Sequence, residues 1–244
     1  MKRFSQLLPA LAVLCTFPFA IAADGKPQLV PLDSDDGARM LRESTASGDF
    51  HRLIRYFSPQ KNLAYCGVAS SVMVLNALPV PKPQEGPQSP HAFFTQENFF
   101  SPEAIQIKAP ENVAKDGMSL EQLGKFLNVH PGVRAVATEA SATSMDDFRK
   151  AASSQLNDGR SYVLVNYLRK ALGQNTGGHI SPLGAWHEAT DSFLIIDVSQ
   201  YKYPPVWVTT ADLWKAMLAP AGPDGKTRGF VIVSAEETPS ADKR

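Results

Sequence analysis

Apolar residues at positions 68, 69, 72, 73, 75 and 78 recur with the three-to-four spacing of a helix and predict a buried one over Ala64 to Leu78, stopped by Pro79 and Pro81. Before it, Arg52 to Phe57 reads as a short amphipathic stretch closed by the turn-forming Ser58-Pro59-Gln60. After it, residues 79–90 are rich in Pro, Lys, Gln, Gly and Ser and read as an exposed loop leading to a second segment, Phe93 to Ile107. Met118 to Leu123 opens a further helix, with Ser119 as N-cap and Gln122 three positions later completing a capping box. Phe148 to Leu156 forms another helical patch. From Ser161 the period changes. Tyr162 to Tyr167, Gly178 to Trp186, Phe193 to Val198 and Phe230 to Val233 read as strands. Helices first and an antiparallel sheet afterwards predict an α+β fold. Residues 23–48, polar and rich in Asp, Gly and Ser, read as an irregular lead-in, 49–236 as the folded domain, and 237–244 as a C-terminal tail.

The N-terminus has a different pattern. Lys2 and Arg3 precede an apolar run from Leu7 to Ile21 that ends in Ala20-Ile21-Ala22. This is the layout of a signal peptide cleaved after Ala22, so the expected location is periplasmic or secreted. The run is too short for a bilayer span of roughly 20 residues, and the mature chain is expected to stay off the membrane. Cleavage leaves 222 of the 244 residues, with 22 basic and 24 acidic side chains. That balance offers no basic surface for nucleic acid or anionic lipid. Cys15 would leave with the signal, and Cys66 would be the one thiol of the mature chain. Exported proteins use cysteines mostly in pairs, so a single one needs either a buried apolar role or a chemical one.

The surroundings of Cys66 favour chemistry. It begins the predicted helix in Tyr65-Cys66-Gly67-Val68, where the helix dipole favours thiolate and free N–H groups can hold an oxyanion. Gln60, six residues earlier, can bring a side-chain amide to the same oxygen. Among five histidines, His179 follows two glycines at the start of a strand. Asp197 lies inside the apolar run Ile195-Ile196-Asp197-Val198, where a carboxylate needs charged or hydrogen-bonding neighbours. If 178–186 and 192–199 pair as a hairpin, Asp197 can orient the His179 ring as a triad requires. The histidines do not fall at metal-ligand spacing, the chain expected after cleavage keeps no second cysteine to pair with Cys66, and no glycine-rich phosphate loop occurs. No cofactor is therefore expected to be bound by the chain.

Gln60, Cys66-Gly67, the segment Gly178 to Gly184, and Asp197-Val198 with Tyr201-Lys202-Tyr203-Pro204-Pro205-Val206-Trp207-Val208 together resemble the phytochelatin synthase family, over about residues 50 to 234. The resemblance implies a papain-like fold and action on glutathione. Cys66 would attack the Cys–Gly amide, glycine would leave, and the γ-glutamylcysteinyl thioester would pass to water or to a second glutathione, giving a phytochelatin. Gln60 and the Cys66 N–H would form the oxyanion hole, His179 would be the base and acid, and Asp197 its orienter. A heavy metal ion such as cadmium would enter only as a metal–glutathione substrate complex. Lys226-Thr227-Arg228-Gly229-Phe230 also resembles a family segment, making Arg228 the first candidate for a substrate carboxylate, with Asp224 for the γ-glutamyl ammonium and Arg169 as a further candidate. Plant members carry a cysteine-rich C-terminal region that these residues lack, so the resemblance implies the short bacterial-type form, chiefly removing glycine, and a homodimer. Two other readings stay open. One is a different papain-like peptidase, such as a double-glycine leader peptidase. The other is a non-enzymatic protein that captures thiols or peptides through Cys66.

Overall fold

The computed structural model describes residues 27–84, 90–175 and 177–236. The signal-like segment and the tail after 236 lie outside the described residues. In chain order the elements are β1 (Val30–Pro31), α1 (Asp35–Glu43), α2 (Phe50–Ile54), α3 (Cys66–Ala77), α4 (Pro102–Ile107), α5 (Pro110–Asp116), α6 (Leu120–Asn128), β2 (Val133–Glu139), α7 (Met145–Ser154), β3 (Ser161–Leu168), β4 (Gly178–His187), β5 (Ser192–Ile195), β6 (Val206–Thr209), α8 (Thr210–Leu218) and β7 (Gly229–Ala235). The strands form one seven-stranded sheet in the order β1-β6-β5-β4-β3-β7-β2, with every neighbouring pair antiparallel. The fold is α+β.

The alternation of a strand's side chains divides the core in two. Tyr162 and Leu164 of β3 face one side, with Val68, Leu75, Leu123 and Phe126 of α3 and α6. Val163, Val165 and Tyr167 face the other, with Phe148 of α7 and Leu213 and Met217 of α8. Covered on both faces, β3 is apolar at nearly every position, which is why it reads as a continuous hydrophobic run. Helix α3 is likewise buried from Gly67 to Asn76 and lacks a polar face. Its place against the sheet is fixed by Ser70, whose hydroxyl donates to the Ile180 carbonyl of β4 at 2.9 Å. The capping box at Ser119 and Gln122 starts α6 as its sequence suggests.

Residues 23–48 do not form an irregular lead-in throughout. Ser34 caps α1, with Asp35 and Asp36 in its first turn, and Met40 of this helix is buried in the core. The helix was hidden because its apolar positions are few and its acidic start resembles a loop. Helix α4 fills the end of the Phe93–Ile107 segment, whereas strands β1, β2 and β6 and helices α5 and α8 lie outside the segments read from the sequence, being short or only half apolar. Strand β5 stops earlier than its apolar run, at Ile195. Beyond it the chain turns to Gln60, whose N–H donates to the Val198 carbonyl at 3.0 Å.

The seating of α1 on the sheet gives a stability test. A Cβ on Gly37 would lie 2.0 Å from the Pro31 carbonyl oxygen, and the Trp207 indole donates to the Gly37 carbonyl at 3.1 Å. Glycine to alanine within a helix ordinarily stabilises by about 1 kcal/mol. Here the backbone collision reverses the sign, and Gly37→Ala is expected to cost about 2 kcal/mol or more in urea unfolding. A neutral or stabilising change would show that α1 is not seated on β1 in solution.

Candidate active site

Cys66 is the first residue of α3, and no side chain caps the helix start. The thiol is half-buried and unpaired. Gly67 follows because the wall there is close: a Cβ would meet Met118 Sδ at 2.6 Å and Ile180 Cδ1 at 3.2 Å. His179 faces Tyr167 in the β3–β4 register. The first three residues of β5 continue the β4 hairpin, and a bulge between Leu183 and Ala185 shifts its register. The Ile196 N–H still reaches the Pro182 carbonyl at 2.9 Å, which leaves Asp197 just beyond the strand end, level with the histidine.

His179 Nε2 lies 2.9 Å from Asp197 Oδ1. An ionised carboxylate only accepts, so Nε2 carries the proton of that bond, and Nδ1 is the nitrogen left to face the Cys66 thiol. Asp197 is 0% exposed. It accepts from the Ser199 N–H at 2.7 Å, from Arg169 Nη2 at 2.9 Å on the same oxygen, and from the Tyr167 hydroxyl at 3.5 Å. Arg169 Nη1 reaches its other oxygen at 2.7 Å.

These contacts govern the charges. Burial pushes the Asp197 carboxyl up, but the His179 hydrogen bond and the charges of His179 and Arg169 outweigh it and carry the group from an ordinary 3.8 to about 2. Burial pushes His179 down, yet its hydrogen bonds to Asp197 and Cys66 and the charges of both bring it above the ordinary imidazole value. Burial likewise opposes ionisation of Cys66. The His179 hydrogen bond and charge, with backbone contacts from Ile180 and Gly67, prevail and hold the thiol below its usual value. All three directions favour a thiolate facing an imidazolium, the pairing that activates a cysteine nucleophile.

The cleft over Cys66 holds about 660 Å³ and is lined by Cys66, His179, Met118, Asn166, Gly178 and Arg228, among others. Arg228 is 8% exposed, and no carboxylate pairs with it among the described residues. Its Nε has no hydrogen-bond partner, and burial pushes the group down. A buried, unpaired guanidinium in a cleft is arranged for an anionic ligand. Asp224 lies in an adjoining cleft of about 560 Å³ with Glu121, Glu139 and Lys226, which shares Ser119 and Ala221 with the first. Arg169 lies outside the cleft lining, spent on Asp197 and on Gln174 at 2.8 Å. That position differs from the substrate-facing one the sequence suggests. Gln60 is buried beside the same loop. Its oxygen accepts from the Ser199 hydroxyl at 2.8 Å, and its nitrogen donates to the Asn62 carbonyl at 2.7 Å and the Tyr201 hydroxyl at 3.2 Å.

Of the other histidines, His130 packs against the Phe94 and Phe99 rings and is pushed down to about 4 by burial, and His187 bonds to Thr190. Ser199 and Asn166 are parts of the site to which the sequence assigns no role, and Tyr203, quoted there only as part of a motif, stacks on Arg169. Asn166 alone carried a signal, as the one amide in the apolar run of β3.

The depressed Asp197 has a stability consequence. Its folded value lies below the unfolded one, so its contribution is complete above about pH 4 and lost as pH falls toward about 2. A shift of that size corresponds to roughly 2 kcal/mol. Asp197→Asn, which leaves Arg169 buried beside a neutral partner, is expected to destabilise by about 3 kcal/mol at pH 7, and the gap to wild type should shrink between pH 4 and 2. Denaturant titrations across that range check this; a pH-independent gap would show that Asp197 is not held ionised.

Residues 24–230 match the family model for phytochelatin synthase. The chain is 34% identical over 211 residues to glutathione gamma-glutamylcysteinyltransferase 1 of Lotus japonicus, covering 85% of this chain and 41% of that protein. It is 32% identical over 211 residues to the Arabidopsis thaliana enzyme of the same name, covering 85% and 42%. It is 28% identical over 218 residues to the glutathione gamma-glutamylcysteinyltransferase of Schizosaccharomyces pombe, covering 87% and 50%. The chain thus spans about two fifths of the length of the plant relatives it matches. On the extent of the family match and these identities, the chain belongs to the phytochelatin synthase family.

Proposed function

We propose that this chain is a papain-like cysteine enzyme that takes the γ-glutamylcysteinyl group of glutathione onto Cys66 and releases glycine. The observation that carries the reading is a single cleft containing a thiol held toward thiolate by a buried His179–Asp197 pair and, on its wall, an unpaired buried Arg228. The names of the relatives supply the substrate class.

In the reaction the Cys66 thiolate attacks the carbonyl carbon of the Cys–Gly amide, and the His179 imidazolium gives its proton to the departing glycine nitrogen. The thioester then yields either to water, giving γ-glutamylcysteine, or to the α-amine of a second glutathione, giving a phytochelatin, with His179 taking the attacking group's proton. The oxyanion falls to backbone N–H groups at the uncapped start of α3, joined by the Gln60 amide, which would exchange its bond to Asn62 or Tyr201 for one to the substrate. Arg228 takes a substrate carboxylate. A cadmium ion enters as part of a metal–glutathione substrate. Export by the N-terminal segment places this chemistry in the periplasm or outside the cell, where glutathione or its conjugates would be met.

Glycine release from glutathione by purified protein tests the reading. Cys66→Ala should abolish release, by at least about a thousandfold, with the fold intact. Cleavage of a Gly-Gly leader peptide with no glycine from glutathione would contradict the proposal. A second variant tests the cleft. Arg228→Met should lower kcat/KM for glutathione about tenfold to a hundredfold, mostly through KM, because a charge-assisted bond to the substrate is lost. An unchanged KM in a folded variant would remove Arg228 from substrate binding.

A further inference from the structure

The environment of Arg169 is built around Asp197 rather than around the cleft. Its two terminal nitrogens take both carboxylate oxygens, at 2.9 Å and 2.7 Å. Its guanidinium carbon lies 4.7 Å from the centre of the Tyr203 ring, and the Tyr203 hydroxyl in turn accepts from the Asn175 N–H at 2.8 Å. Gln174 holds Nη1 from the same short segment, which continues from the end of β3 through the 3-10 turn Arg169–Leu172. The guanidinium is therefore gripped by an aromatic face and an amide while it grips the carboxylate. A planar two-nitrogen fork fixes a carboxylate's rotation as well as its position, which a single ammonium does not.

The groups facing Asp197 come from four directions. They are His179 from β4, Tyr167 from β3, the Ser199 N–H from its own loop, and Arg169; Cys66 of α3 stands beyond the histidine. Arg169 is the one permanent charge among them. Without it, a fully buried carboxylate would rest on a titrating imidazole and neutral donors.

We propose that Arg169 is a positioning residue: it clamps both oxygens of Asp197, so that Asp197 presents a fixed lone pair to His179 and His179 keeps the orientation that faces Cys66. Its charge also keeps Asp197 ionised, and the Asp197 carboxylate in turn supports the His179 imidazolium that faces the thiol. This role rests on the reading of Cys66 as a His179-activated thiolate. It does not depend on which substrate the cleft takes.

The test follows Cys66 alkylation by iodoacetamide across pH, read from the mass of the Cys66 peptide, in full-length wild type, Arg169→Lys and Arg169→Met, with folding checked by circular dichroism. In Arg169→Met the alkylation midpoint should move up by about one pH unit or more, because Asp197 is no longer held as an anion against His179 and the imidazolium that favours the thiolate is weakened. In Arg169→Lys it should stay near wild type, while kcat for glycine release falls about tenfold at unchanged KM, because the charge remains and the fork is lost. A folded Arg169→Met with the wild-type midpoint would overturn the proposal. So would an Arg169→Lys whose loss lies wholly in KM, the signature of direct substrate contact. If Arg169→Met does not fold, the kcat-against-KM split in Arg169→Lys decides. If glutathione yields no glycine, the alkylation midpoints decide alone, and the failure belongs to the substrate reading.

Discussion

A carboxylate with no exposure to solvent is the constraint on which the site rests. Asp197 survives as an anion because Arg169, His179 and the Ser199 N–H converge on it within hydrogen-bonding distance. Each of those groups belongs to a different part of the sheet or its loops. Meeting the electrostatic demand therefore requires β3, β4 and the segment after β5 to be in register. The same loop also fixes the segment ahead of the nucleophile helix, since Ser199 holds Gln60 and Gln60 holds the Val198 carbonyl. One loop, 197–203, supplies the orienting carboxylate, fixes Gln60 through Ser199 and Tyr201, and stacks Tyr203 on Arg169.

The scaffold accounts for why the nucleophile stays in place. Helix α3 is buried on all sides and bound to β4 through Ser70, one turn after Cys66. Cys66 and His179 are thus carried by two elements packed directly on each other rather than by loops, which limits how far the thiol and imidazole can drift apart. The close wall at Gly67 lets the first turn of α3 sit against Met118 and Ile180, and Arg228, just before β7, lines the same cleft with no hydrogen-bond partner for its Nε among the described residues.

Much of this was legible in the residues. The period of α3 and the apolar runs of β3, β4 and β7 announced themselves because burial on both sides leaves little polar interruption. Cys66 at a helix start, a histidine after two glycines and an aspartate inside an apolar run mark the array in the sequence itself. Helix α1 was missed because a nine-residue helix at the surface needs few apolar positions, and strand β6 because four residues carry no measurable period. Arg169 was assigned toward the substrate because proximity in sequence to His179 says nothing about direction. The fork points to Asp197, 28 residues further on, and only folding reveals that pairing. The partners of Gln60 were hidden for the same reason, since both Ser199 and Tyr201 lie about 140 residues away along the chain.

The central claim is that Cys66 forms an acyl bond and not merely a thiol contact. Intact-protein and peptide mass spectrometry of the purified protein, quenched in acid after brief mixing with glutathione, addresses it directly. The account predicts an adduct on Cys66 with the mass of glutathione less glycine, labile to hydroxylamine and stable to a thiol-free phosphine reducing agent. An adduct of whole glutathione that a reducing agent removes would instead be a mixed disulfide, and would contradict the claim that this cleft carries out acyl transfer from glutathione.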